Sequence, residues 1–216
     1  MTGEKNSPGP DMGPQKMKKE LFGTNGVRGV AGKEMTPKLV LSIGMALGSM
    51  RRGTIAVGMD TRTSGPALAS AMKAGLMAAG CNVVDCGILP TPALQYIVRG
   101  RFAAGAMITA SHNPPEYNGV KVIEADGTEM GDEETIALEQ RIFTSDFSFA
   151  DWADAGREDP GGSLVSGYVD AVIGAFPEGI GKGMTVVVDP GCGAAVNTTR
   201  SEERRVGKEC RSRGWP

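Results

Sequence analysis

The sequence predicts an α/β fold, and three observations carry that expectation. Apolar residues alternate between a helical and an extended period along residues 37–143. Glycines stand where the helical segments stop, at Gly53 and Gly80. One apolar run, Gly105-Ala106-Met107-Ile108, leads directly into a hydroxyl-bearing turn closed by Pro114-Pro115, which cannot continue a central ladder.

Met1 to Lys19, with Pro8, Gly9, Pro10, Gly13 and Pro14, lacks apolar periodicity and reads as a disordered leader over 1–19. The fold starts near Leu21. Thr36-Pro37 supplies an N-cap and a first-turn proline for a helix through about Arg51, with Leu39, Ile43, Ala46, Leu47 and Met50 at helical spacing. Ile55 to Met59 is a strand, Ser64 or Gly65 to Ala79 a second helix, and Asn82 to Asp85 another strand. A third helix follows Thr91-Pro92, the serine-bearing strand comes next, Val120 to Ile123 returns, and Asp132 to Phe143 makes a fourth helix. The first domain therefore covers 20–145. The Asp-, Ser- and Gly-rich segment 146–163 reads as a linker. Leu164 to Phe176 is a short helix and Met184 to Asp189 a strand, so 164–197 reads as the start of a second α/β domain. After Asn197 the pattern collapses, and 198–216 reads as a tail foreign to the rest, of artefactual origin.

Composition excludes several classes. Hydrophobic residues at 40% and charged residues at 22% are those of a globular domain, and no apolar run is long enough to span a bilayer. The start carries no apolar signal core, which points to a cytoplasmic protein without a membrane partner. Net charge is −2, and the basic excess lies in residues 200–216, with six Lys/Arg against three Asp/Glu. The remainder is mildly acidic, which argues against nucleic acid as a partner. Cys81, Cys86, Cys192 and Cys210 lack metal-ligand spacing and fit a reducing compartment. No phosphate-binding glycine loop is present, since Gly179-Ile180-Gly181-Lys182-Gly183 precedes a strand instead of a helix.

The chemistry concentrates at Ser111, at the carboxyl edge of its strand, where ligands bind in open α/β sheets. His112 is the only histidine and stands beside it. Asn113 can close an Asx turn or reach a ligand, and Asp60 and Arg62 form a polar corner suited to an ion pair beneath the serine loop. An acyl-transfer role for Ser111 is weakened because Ala110-Ser111-His112 lacks the G-x-S-x-G elbow.

Four ordered segments resemble the α-D-phosphohexomutase family, in its phosphoglucosamine mutase and archaeal phosphomannomutase/phosphoglucomutase branch. They are Leu21 to Gly29 (Leu-Phe-Gly-Thr-Asn-Gly-Val-Arg-Gly), Val57 to Gly65, Thr109 to Pro115, and Asn118-Gly119-Val120-Lys121. The resemblance spans roughly residues 19–197. It implies a three-layer α/β/α domain with a mixed, mostly parallel sheet, plus the start of a second domain. The implied activity transfers a phosphoryl group between the 1- and 6-positions of a hexose phosphate, through a phosphoserine and a hexose 1,6-bisphosphate. Ser111 is then the phosphoserine and a ligand of Mg²⁺. Lys121 is the cation and proton shuttle beside it, Arg28 a phosphate-binding loop arginine, and His112 a support of the phosphoserine. The metal loop and sugar loops of the family are not found in the sequence, so a fragment is expected to be inactive by itself. A phosphosugar-binding module is the alternative.

Overall fold

The computed structural model describes residues 19–199. The expected leader, apart from Lys19, and the expected tail from residue 200 onward lie outside the described residues. Six strands form one sheet: β1 (Val27–Val30), β2 (Thr54–Met59), β3 (Asn82–Ile88), β4 (Ala104–Ile108), β5 (Tyr117–Glu124) and β6 (Glu158–Pro160), in the order β1-β5-β4-β2-β3-β6. β5 alone runs antiparallel to its neighbours β1 and β4, while β4, β2, β3 and β6 pair in parallel. The sheet is thus mixed and mostly parallel, as expected.

Five helices cover its two faces: α1 (Pro37–Met50), α2 (Gly65–Ala78), α3 (Thr91–Val98), α4 (Asp132–Thr144) and α5 (Leu164–Gly174). α1 begins as its sequence predicts, with the Thr36 hydroxyl accepting from the Leu39 amide at 3.2 Å. One core joins Val40, Ile43, Leu47, Leu68, Met72, Leu76 and Leu138 to Ile55, Val57, Ile108, Val120 and Val122, so α1, α2 and α4 share a face. The other core joins α3, through Leu94, Ile97 and Val98, to Met107 and Ile123, with Leu164, Val165 and Tyr168 of α5 packed against it. This is the three-layer α/β/α arrangement. α1 and α2 approach closely because Gly44 and Gly75 leave room for each other's backbone; a Cβ on Gly44 would stand 2.6 Å from the Met72 carbonyl oxygen.

Several expectations are corrected. β3 runs past Asp85 to Ile88, because a bulge leaves Cys86 unpaired between Val57↔Asp85 and Gly58↔Gly87 and the ladder then resumes. The expected linker 146–163 is not free of the sheet: its Glu158–Pro160 pairs with β3. α5, expected to open the next domain, packs on α3, with the Tyr96 and Tyr168 rings 5.8 Å apart. The expected strand Met184 to Asp189 forms no strand; Val187 is 92% exposed, and without a neighbouring ladder its β-branched side chains cannot hold an extended pairing.

The β6 edge is fastened by charge. Lys73 of α2 donates to Asp85 Oδ2 at 2.7 Å and to Glu158 Oε1 at 2.6 Å. Burial opposes the charge of both Lys73 and Asp85. Burial is the largest single influence on each, but the hydrogen bonds and charge attraction together outweigh it, Lys73 with Asp85 and Glu158, and Asp85 with Lys73 and the Gly87 amide, raising the lysine above and lowering the aspartate below its ordinary value. The aspartate's contribution is therefore complete above its ordinary value of 3.8 and is lost as pH falls through its lower folded value. The lysine's contribution is complete below 10.5 and is lost only as pH rises through its higher folded value. We expect pepsin cleavage within 146–163 to rise steeply below about pH 4, and Lys73→Met to show fast cleavage at all acidic pH values. A pH-independent rate in the unmodified chain would show that the pair does not hold this edge.

Candidate active site

β2 leads through α2 to β3 on one side, whereas β4, its other neighbour, turns away into β5. The sheet order therefore changes direction between β2 and β4, and the loops leaving their carboxyl ends flank a crevice. The Asp60 amide donates to the Ile108 carbonyl oxygen at 3.0 Å, tying the two strand ends together at this point.

The loop from Thr109 to Glu116 is built by short-range bonds and then locked from outside. Thr109 N donates back to the Gly119 carbonyl oxygen at 3.0 Å, Asn113 N to Ala110 O at 3.1 Å, and Tyr117 N to Pro114 O at 3.1 Å. Ser111 adopts φ 57°, the left-handed region that side chains other than glycine, Asn and Asp seldom occupy, and both Ser111 and His112 are exposed at the tip. Its amide donates to the Thr109 hydroxyl at 2.9 Å, and the same hydroxyl donates to Asp60 Oδ2 at 2.6 Å.

Arg62 is the main fastening. Its Nε donates to Asp60 Oδ2 at 3.1 Å, Nη1 to the carbonyls of Pro114 (2.6 Å) and Tyr117 (2.8 Å), and Nη2 to those of Ser111 (3.0 Å) and Asn113 (2.7 Å). The planar fork of a guanidinium suits this, because it presents five fixed donors to a ring of acceptors. The ion pair of Asp60 and Arg62 expected beneath the loop is thus present, with side chains 14% and 11% exposed. Asn118 Nδ2 reaches the Ser64 hydroxyl at 2.8 Å, joining β5 to the start of α2.

The remaining expected site residues are placed as follows. Arg28 lies on β1 opposite Gly119, where a Cβ would press within 3.1 Å of the arginine's Cγ; glycine lets the side chain cross β5, and Nη1 donates to Asn113 Oδ1 at 3.0 Å. His112 Nδ1 stands 3.4 Å from Ser111 Oγ, at the long end for a hydrogen bond. Lys121 is opposite Met107 in β4, and its ammonium donates to Glu129 Oε1 at 2.6 Å instead of reaching Ser111. Arg28 and His112 are therefore brought to the serine loop, and Lys121 is held on a carboxylate beside it.

Sequence reasoning missed three contributors. Glu139 of α4 is 3% exposed and accepts from the amides of Glu20, Leu21 and Phe22 at 2.8, 2.9 and 2.6 Å, anchoring the segment that enters β1. Nothing local marks it, since it sits among Asp and Glu residues that face solvent. Glu129, the partner of Lys121, and Thr109 are the others; a threonine two residues before the serine is a readable turn signal.

Ser111 has no rival nucleophile among the buried thiols. Burial raises the Cys81 pKa and pushes Cys86 up to about 12, so both stay protonated and inert. His112 has no carboxylate partner among the described residues, which denies Ser111 the oriented base that acyl transfer needs.

These features mark out a class: a three-layer α/β/α domain presenting an exposed serine, on a left-handed turn held by two arginines, at the switch point of its sheet. A family model described as phosphoglucomutase/phosphomannomutase, alpha/beta/alpha domain I, matches residues 19–149. The chain belongs to that family. It is 44% identical over 163 residues to a phosphoglucomutase/phosphomannomutase of Thermococcus kodakarensis, covering 71% of this chain and 35% of the relative. It is 38% identical over 197 residues to a phosphoglucosamine/phosphogalactosamine mutase of Sulfurisphaera tokodaii, covering 87% and 43%. A phosphopentomutase of T. kodakarensis is 44% identical over 153 residues, covering 71% and 34%. A solved structure of a phosphomannomutase-like protein from Thermus thermophilus superposes with a TM-score of 0.73 at 34% identity, covering 86% of this chain and 43% of that one. The chain spans between 34% and 43% of the length of these curated relatives. Among the described residues, no helix is long and apolar enough to cross a membrane.

Proposed function

We propose that this chain is the serine-bearing domain of a sugar-phosphate mutase, with Ser111 the phosphoryl carrier. The observation that carries the reading is the serine loop itself: a single hydroxyl, exposed on a strained turn whose carbonyls are gathered by Arg62 and whose Asn113 is held by Arg28. Phosphoryl transfer asks for alignment and positive charge more than for covalent help. In the forward step the Oγ–P bond of phosphorylated Ser111 breaks as a sugar hydroxyl oxygen bonds to phosphorus. The sugar hydroxyl loses its proton and Ser111 Oγ gains one. The resulting 1,6-bisphosphate turns around and returns its other phosphoryl group to Ser111, leaving the isomeric hexose phosphate. In this reading Lys121, hydrogen-bonded to Glu129 in the free domain, leaves that carboxylate to relay those protons, and Arg28 neutralises phosphate oxygens. The substrate class is hexose phosphates, and the pentose relative marks a family able to vary the sugar.

Magnesium belongs to this reading as an ion on the Ser111 phosphate. The described residues contain no group of three or more His, Cys, Asp or Glu able to hold a metal, so they do not make its site by themselves. Mg²⁺ is usually held by one or two carboxylates together with phosphate oxygens. Incubated with magnesium, a hexose 1,6-bisphosphate and each candidate hexose phosphate, the 216-residue chain should therefore give no isomer interconversion. Enzymatic interconversion that Ser111→Ala abolishes would overturn that expectation. Binding of the bisphosphate with neither phosphate uptake nor interconversion would leave this chain a phosphosugar-binding domain when it acts alone.

In a chain of the relatives' full length, Lys121→Met and Arg28→Ala should each slow turnover about 100-fold, corresponding to the roughly 3 kcal/mol that one charge-stabilising donor supplies at a transferring group. Thermal stability should change far less. Wild-type kinetics in both variants would reduce them to structural cations.

A further inference from the structure

We propose that Thr109 is a positioning residue for phosphoryl transfer: its hydroxyl takes the Ser111 amide out of play, so that phosphate carried by Ser111 cannot fold back onto its own backbone. The inference rests on the mutase reading given above.

Thr109 closes β4 and is 5% exposed. Its side chain is not a free hydroxyl. Two facts determine the direction of both bonds it makes. An amide can only donate, so the Ser111 N–H gives its proton to Thr109 Oγ1, at 2.9 Å. Thr109 has one hydroxyl proton, and it goes to Asp60 Oδ2 at 2.6 Å. Asp60 is in turn held by Arg62, through Nε to Oδ2 at 3.1 Å and through the Arg62 backbone amide to Oδ1 at 3.1 Å. The chain Ser111 N–H to Thr109 to Asp60 to Arg62 closes on itself, because Arg62 Nη2 donates to the Ser111 carbonyl at 3.0 Å. Both polar groups of the Ser111 backbone are consumed by one ring of bonds.

That closure matters for a phosphorylated serine. Ser side chains readily bond nearby backbone amides, and a phosphate has three strong acceptor oxygens with which to do so. Such a bond would favour the phosphoserine ground state and would have to break before transfer. With the amide already donated to Thr109, the phosphate is left to external partners and to the incoming sugar. The same bond helps to hold Ser111 at φ 57°, a conformation that costs energy and persists only where surrounding contacts impose it. Serine at position 109 would keep the relay, whereas valine keeps the shape and removes it.

The test has two arms on the chain as it stands. In the first, amide hydrogen exchange is followed by NMR in the unmodified protein, Thr109→Val, Thr109→Ser and, should valine unfold the domain, Thr109→Ala. The Ser111 amide should exchange about tenfold faster without the hydroxyl, the change expected from one net hydrogen bond. It should return to the original rate in Thr109→Ser, with the β4 amides of Met107 and Ile108 unchanged. Equal Ser111 exchange in all variants overturns the proposal. In the second arm, phosphate uptake from a hexose 1,6-bisphosphate is measured in single-turnover mode. Thr109→Val should lower the rate constant at saturation and leave half-saturation unmoved, and Thr109→Ser should restore the rate. Unchanged rates in a chain that does take up phosphate also overturn it. If the unmodified chain takes up no phosphate, as a domain that does not make the metal site by itself allows, the second arm is run in a chain of the relatives' full length; no uptake there counts against the mutase reading, and the exchange arm still decides the role of Thr109.

Discussion

Ser111→Ala is expected to abolish phosphate incorporation entirely while leaving the domain folded. The Oγ is exposed, and its one neighbour, His112 Nδ1, is 3.4 Å away. Little stability rests on that contact, so thermal midpoints should shift by no more than the effect of an ordinary surface change, within about 0.5 kcal/mol. Ser111→Gly separates the two roles further. Glycine adopts φ 57° without penalty, so this variant should gain about 1 kcal/mol of stability and be equally inert. Peptide mapping after incubation with a hexose 1,6-bisphosphate, and melting of the three proteins, would check both outcomes. Phosphate retained in Ser111→Ala would remove Ser111 from the carrier role, and a less stable Ser111→Gly would show that the loop is not strained.

Arg62→Ala is expected to be the most destabilising single change at the site. It removes donors from three loop carbonyls and from that of Tyr117 at the start of β5, and leaves Asp60, whose side chain is 14% exposed, without its cation. Breaking a buried pair by removing one partner costs about 3–5 kcal/mol, because the remaining charge stays desolvated. Arg62→Lys should recover only a minor part, since one ammonium cannot reach a ring of acceptors spread from Ser111 to Tyr117. Denaturant titration gives the magnitude, and hydrogen exchange of the Asn113 and Tyr117 amides would show whether the loop loosens ahead of the sheet. A loss below about 1 kcal/mol, the usual contribution of an exposed ion pair, would mean that the loop holds its shape without the arginine.

The helices were legible because their signals are local. Thr36-Pro37, Thr91-Pro92 and the closing glycines are read within one turn of the chain; α1 and α4 begin at Pro37 and Asp132 as expected, while α3 already includes Thr91, with Pro90 at its N-cap. β1 was not legible: its Val-Arg-Gly-Val has no period, and it is a strand only because β5 offers Val120 and Tyr117 as partners. The opposite failure occurs at Met184 to Val188, which has strong β composition and no ladder. β6 escaped for the reason that β1 did. Its Glu-Asp-Pro composition is poor for a strand, and it pairs because the β3 edge and Lys73 are there to receive it.

The same division runs through the site. The family, the α/β rhythm, the serine at a strand end and the adjacency of Asp60 to Arg62 were all readable from the chain, since each is written in residues a few positions apart. Which groups meet that serine was left to the folded arrangement. Arg62 finds carbonyls 49 to 55 residues away, Arg28 finds Asn113 across β5, and Lys121 is held by Glu129 instead of Ser111. Hydrogen bonds act over about 3 Å, so their partners are set by the order in which the sheet stacks its strands, and that order is the outcome of packing two apolar cores.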